Sequence, residues 1–173
     1  MSGVKQPSMT GLRFPTSPKP QTQRWTVQDM PEHRGDCLRT SIAILLGLDR
    51  DAVPHFADMP DWWSVMRGFL AERGYTFWDV PATQIMTGRR TLPDHGYIIA
   101  SGVTERSAAH WRSEEPWALA MREALVEGGT GLIHHAIVMK HDLMGFIDPY
   151  PDGNGLRAIT HFTFVFQGEP EYA

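Results

Sequence analysis

Gly35-Asp36-Cys37-Leu38-Arg39-Thr40-Ser41-Ile42-Ala43-Ile44-Leu45-Leu46-Gly47 holds the only cysteine of the chain. The stretch reads as a helix. Asp36 is a suitable N-cap, since a short side-chain oxygen at that position can accept from the unpaired N–H groups of the first turn. Gly47 is a suitable stop, because glycine takes the left-handed conformation that ends helices. Leu38, Ile42, Leu45 and Leu46 fall at i, i+4, i+7 and i+8 and form one apolar stripe. Cys37 is thereby expected at the positive end of a helix anchored in a core, where a thiolate is favoured over a thiol. A free cysteine is more commonly a small core hydrophobe, so the chemical reading needs partners from elsewhere in the chain.

Those partners are found far downstream. His134-His135-Ala136-Ile137-Val138-Met139-Lys140 belongs to a strong strand, 132–140, and 143–148 reads as the next. With a symmetric turn at His141-Asp142, Lys140 faces Leu143 and Met139 faces Met144. His135 then falls opposite Asp148, on one face of the pair. His134 points to the opposite face, so His135 is the histidine expected to meet the carboxylate. A thiol at a helix start, an imidazole and a carboxylate that orients it are the parts of a cysteine nucleophile system. Gln28, upstream of the cysteine, is a candidate donor to an oxyanion. His33, Cys37, His135 and Asp148 are also zinc-ligand types, but no Cys-x-x-Cys or His-Glu-x-x-His spacing accompanies them. No metal or other cofactor is expected.

Around this centre the chain reads as one α+β domain. Residues 1–23, rich in Pro, Ser, Thr, Lys and Gln, read as a flexible or loosely draped arm that only Met9, Leu12 and Phe14 could anchor. Residues 24–173 form the domain. A turn at 49–53 and an amphipathic helix from Asp61 to Gly74 follow the cysteine helix. Trp62 and Trp63 of that helix are expected in the core. Strands are expected at 75–80, 96–101 (ending at Gly102) and 159–166, with a loop at 82–94 and a helix at 114–127. His55, His95, His110, His141 and His161 are expected on the surface or in loops.

At 173 residues with an apolar share of 42 %, the chain can form an adequate single core. A net charge of −4 argues against a general nucleic-acid binder. One cysteine permits no internal disulfide. No apolar run spans a bilayer and no apolar signal segment opens the chain, so neither membrane insertion nor secretion is expected and the cytoplasm is the default location.

The order of these motifs resembles the papain-like cysteine peptidases. Gly-Asp-Cys with Ile-Ala-Ile-Leu-Leu-Gly-Leu, then His-His-Ala-Ile-Val, then Asp-Pro, looks like the small bacterial and phage members. These are similar to the peptidase domains that trim bacteriocin leaders and to NlpC-type cell-wall peptidases. The run 35–56, the Trp62-Trp63 helix, the Gly-Tyr-Ile-Ile-Ala-Ser-Gly strand and the Asp-Pro-Tyr-Pro-Asp-Gly-Asn-Gly-Leu ending also resemble short uncharacterised proteins common in phage genomes. The resemblance covers roughly Gln28 to Leu156. It implies an α+β fold with the nucleophile helix packed on a C-terminal antiparallel sheet. It implies Cys37 as nucleophile, His135 as general base and Asp148 as orienting residue. Gln28 matches the oxyanion glutamine less closely, standing further upstream. Residues 105–129 look like an insertion before the histidine strand, placed to roof or narrow a cleft. The activity implied is hydrolysis of an amide, peptide or isopeptide bond in a peptide or protein substrate. Two other readings use the same fold: an idle module that binds a host protein partner, as a phage-encoded inhibitor in host cytoplasm would, and a transglutaminase-like acyltransferase.

Overall fold

The computed structural model describes residues 7–26, 29, 35–104, 135–169 and 171–172. Gln28, His33, His110, His134 and the insertion expected at 105–129 lie outside the described residues.

The element order is β1 (Pro7–Ser8), α1 (Cys37–Leu46), α2 (Trp62–Ala71), β2 (Thr76–Pro81), α3 (Ala82–Met86), β3 (Tyr97–Val103), β4 (His135–Lys140), β5 (Phe146–Ile147), β6 (Ala158–Phe166) and β7 (Glu171–Tyr172). Two 3-10 turns, Arg50–Ala52 and Phe56–Asp58, join α1 to α2. Five strands form one antiparallel sheet in the order β2-β6-β3-β4-β5. Strands β1 and β7 pair separately. The molecule is thus a mixed α+β fold, and none of its described helices is long and apolar enough to cross a membrane.

Side-chain alternation along the strands sorts the core into two layers. Ile99, Ala136, Val138 and Val165 face α1 and α2, where they meet Ile42, Leu45, Met66 and Leu70. Ile98, Ala100, Ile137, Met139, Phe162, Phe164 and Phe166 face the other way. That second face must also be covered, and the N-terminal segment covers it with Leu12 and Phe14, beside Ala82 and Ile85 of α3. Polar composition suggested a flexible arm over 1–23. Instead, Leu12 is 2 % and Phe14 5 % exposed. Burying side chains of this size is worth about 1.5–3 kcal/mol each. Fixing a residue's backbone costs about 1–2 kcal/mol, so two anchors alone would not order the segment. Backbone hydrogen bonds supply further ties at intervals: Arg13 with Gln167, Tyr97 N–H to Pro15 O (2.8 Å), Lys19 N–H to Ile44 O (2.9 Å) and Gln23 N–H to Pro149 O (2.8 Å).

Helix α1 ends at Gly47 (φ 66°), as the sequence predicts. Several local expectations differ. The segment 82–94 contains α3 rather than loop alone. Trp63 packs against the core and stands edge-on to Phe77, but Trp62 is 39 % exposed. The strand expected to stop at Gly102 runs on to Val103, with a register shift against β6 at 101/102. A Cβ on Gly102 would lie 1.9 Å from Ala158 O, so glycine here permits a bulge rather than marking a strand end. Gly102 is the register partner of His135 on β4.

Candidate active site

Cys37 is the first residue of α1 and is partly exposed. His135 is the first residue of β4 and is 7 % exposed. The body of α1 lies over Ala136 and Val138, and Ser41 Oγ donates to Ala136 O (3.0 Å). Ile137 and Met139 belong to the opposite face. The thiol and the imidazole therefore meet at the end of the strand, where the helix begins. His135 hydrogen-bonds the Cys37 sulfur, and the backbone N–H groups of Ala136 and Leu38 also serve that sulfur.

Asp148 follows β5 directly. Its carboxylate receives His135 Nε2 at 2.6 Å. The same oxygen accepts from Tyr150 N–H (2.8 Å), and the other accepts from Gly155 N–H (2.8 Å). The bond to Tyr150 closes an Asx-turn, for which an Asp ahead of Pro149 is suited. With Nε2 engaged, the second ring nitrogen is left for the sulfur. Tyr150 stands edge-on to the imidazole, with ring centroids 6.2 Å apart. The side chains of His135 and Asp148 are 8 % and 1 % exposed.

The hairpin differs from the expected one by two residues. Lys140 N–H bonds Gly145 O, Val138 pairs with Ile147 and Met139 with Phe146. The turn spans 141–144, with Leu143 at φ 61°, where a two-residue turn at 141–142 was expected. Asp148 is accordingly not directly opposite His135. It stands two positions away diagonally on the same face, a separation that a ring and a carboxylate can bridge.

Electrostatics follow from this chain of groups. Burial pushes the Cys37 thiol up, but the hydrogen bond and charge of His135, with the Ala136 and Leu38 N–H groups, more than offset it, and the thiol is held below its ordinary value. Burial pushes the His135 imidazole down. The Asp148 carboxylate and the Cys37 sulfur outweigh that effect and raise it from 6.5 to about 9. Burial alone would raise Asp148. His135 and the N–H groups of Tyr150 and Gly155 hold it below the usual carboxylate range. The three shifts act in one sense: each favours the charged form of its group, thiolate, imidazolium and carboxylate.

Asp36 departs from its expected role. It precedes α1 with φ −103° and ψ 25°, and its side chain makes no cap hydrogen bond. The carboxylate is turned to Arg24 N–H (3.1 and 3.3 Å) and Trp25 N–H (3.0 Å) instead. A preference for capping is a local rule, and here a contact from twelve residues upstream supersedes it. Sequence reading also missed Gly155 and Tyr150 as donors to Asp148, although the Asp-Pro-Tyr pattern carries the signal for the second.

Among the described residues, no three His, Cys, Asp or Glu side chains are arranged to hold a metal ion. Comparison with protein-family models, curated proteins and solved structures found no match.

Proposed function

We propose that this protein is a papain-like thiol hydrolase that cleaves an amide, peptide or isopeptide bond through an acyl-enzyme on Cys37. The observation that carries the reading is the continuous hydrogen-bonded chain from the Cys37 sulfur through His135 to Asp148, with a 2.6 Å imidazole–carboxylate contact. The motif order shared with papain-like peptidases supports it as well.

In the proposed reaction the Cys37 thiolate attacks the substrate carbonyl carbon, and the carbonyl π electrons move onto oxygen. The backbone N–H of Cys37 at the start of α1, and the side-chain amide of Gln28, are the proposed donors to that oxyanion. As the intermediate collapses the C–N bond breaks, and the His135 imidazolium gives its proton to the departing amine. Neutral His135 then takes a proton from water as the oxygen of that water attacks the thioester carbon. The C–S bond breaks, the acid leaves, and thiolate and imidazolium are restored. Asp148 keeps the ring oriented and stabilises its charge throughout.

The test is alkylation of the full chain by iodoacetamide at pH 6, followed by intact mass, beside turnover of a peptide library. Cys37 should label rapidly, and His135→Ala should slow labelling by about 100-fold, the lower range for a lost acid–base partner. Peptide cleavage should vanish in Cys37→Ser. Wild-type labelling no faster than that of a free thiol would overturn the reading.

A further inference from the structure

An aspartate ahead of a helix ordinarily gives its side-chain oxygen to the N–H of the second or third helical residue. In α1 those residues are Leu38 and Arg39. Leu38 N–H serves the Cys37 sulfur. An Asp36 carboxylate in the capping position would compete with the thiolate for that donor. It would also place a like charge beside the thiolate, which disfavours ionisation.

Asp36 is kept from that position by the segment Gln23–Trp25. Its carboxylate, in a residue only 1 % exposed, accepts from the N–H groups of Arg24 and Trp25. In return, Asp36 N–H donates to Trp25 O (3.2 Å). Gln23 braces the same carbonyl through Nε2 (2.7 Å) and reaches the acid loop through its own N–H, which donates to Pro149 O (2.8 Å). The segment thus touches both the start of the nucleophile helix and the residue after Asp148.

We infer that Gln23–Trp25 is a positioning element: by holding the Asp36 carboxylate, it reserves the first-turn N–H groups of α1 for the Cys37 sulfur. This rests on Cys37 being a reactive thiolate, as proposed above. Among the described residues, His135 from β4 acts on the Cys37 sulfur with Asp148 behind it, and Asp36, Arg24 and Arg39 are the charged residues of the helix start and of the segment bound to it. The Arg39 guanidinium is directed to Arg50 O, Val53 O and Asp51, and that of Arg24 to Asp51. Neither arginine is turned to replace a donor lost from the sulfur.

The experiment is the pH profile of iodoacetamide labelling from pH 4 to 10 for four full-length proteins: wild type, Trp25→Pro, Asp36→Ala and the double variant. Proline at 25 removes one N–H donor to the carboxylate and keeps the carbonyl. Trp25→Pro should move the acid midpoint of labelling up by about one pH unit, which is about tenfold slower labelling on the acid limb. Asp36→Ala should not raise the midpoint, and the double variant should return it to the wild-type value. Arg24→Pro removes the neighbouring donor and serves if Trp25→Pro loses its cooperative melt. An unmoved midpoint in both folded proline variants would overturn the inference. So would a raised midpoint in Asp36→Ala or in the double variant, since the agent would then be packing and not the carboxylate. A low wild-type midpoint with unmoved variants removes this inference alone. A wild-type midpoint at the ordinary thiol value removes it together with the proposed hydrolase.

Discussion

Of the three His–Asp pairs among the described residues, two have nearly the same length and the most different surroundings. His135 Nε2 lies 2.6 Å from Asp148, with side chains 8 % and 1 % exposed. His95 Nδ1 lies 2.5 Å from Asp94, in the loop before β3, with side chains 48 % and 92 % exposed. The loop pair stands in water, where an ion pair gains little and salt screens it. The buried pair has backbone donors on its carboxylate and a sulfur on the other side of its ring. Distance alone therefore does not mark a site. What separates the two is the lack of water around one pair and the third group to which it is joined.

The sharpest way to break this comparison is to neutralise each acid in turn. Asp148→Asn should slow Cys37 labelling at pH 8 by about 100-fold, because His135 loses the partner that keeps it charged and oriented. Asp94→Asn, measured alongside, supplies the contrast. Equal effects would show that burial confers nothing on the 135–148 pair.

A second test uses proton linkage. The folded-state value of His135 is raised, from 6.5 to about 9. Its charged form therefore stabilises the fold fully below about 6.5, and that contribution fades as pH climbs through 9. Asp148 is shifted downward, so its contribution is present above the ordinary carboxylate value and is lost as pH falls through its depressed value. Thermal melts of wild type and His135→Gln should differ most near pH 6 and converge toward pH 10. A gap that stays constant across that range would refute the assignment.

A smaller effect is expected from the frame around the acid. Gly155 has φ +65°, and a Cβ there would meet the Phe146 ring at 2.9 Å. Gly155→Ala should cost about 1–3 kcal/mol, read from chemical denaturation. It should also slow labelling severalfold, because Gly155 N–H holds Asp148. The smallest response belongs to the exposed loop: Asp94→Asn should leave both labelling and melting temperature where they are.

How the hairpin was legible is instructive. The turn at 141–144 is two residues longer than the sequence suggested, and an even change preserves which face each side chain takes. Asp148 moved from opposite His135 to a diagonal position, and the pair survived. A change of one residue would have sent the carboxylate to the other side of the sheet. The helix stop at Gly47 and the stripe through Ile42 and Leu45 were legible because they depend on neighbours within a few residues. Asp36 and Gly102 were misread for the opposite reason. The partners of Asp36 are Arg24 and Trp25, and the constraint on Gly102 comes from Ala158. Neither contact leaves a mark in the local pattern. The packed N-terminal segment was misjudged in the same way, since the apolar face of β6 that Leu12 and Phe14 cover is encoded some 150 residues later.

Strand β5 is two residues long and stands at the margin of the sheet. The acid hangs from this outermost rung, while the sulfur and the imidazole are rooted in interior elements. Remodelling the tip at 141–144 would leave the four longer strands, and the Tyr150 and Gly155 donors to the acid, as they are. Selection could thus retune the approach to the sulfur from one flank, at little risk to the architecture that holds its imidazole partner.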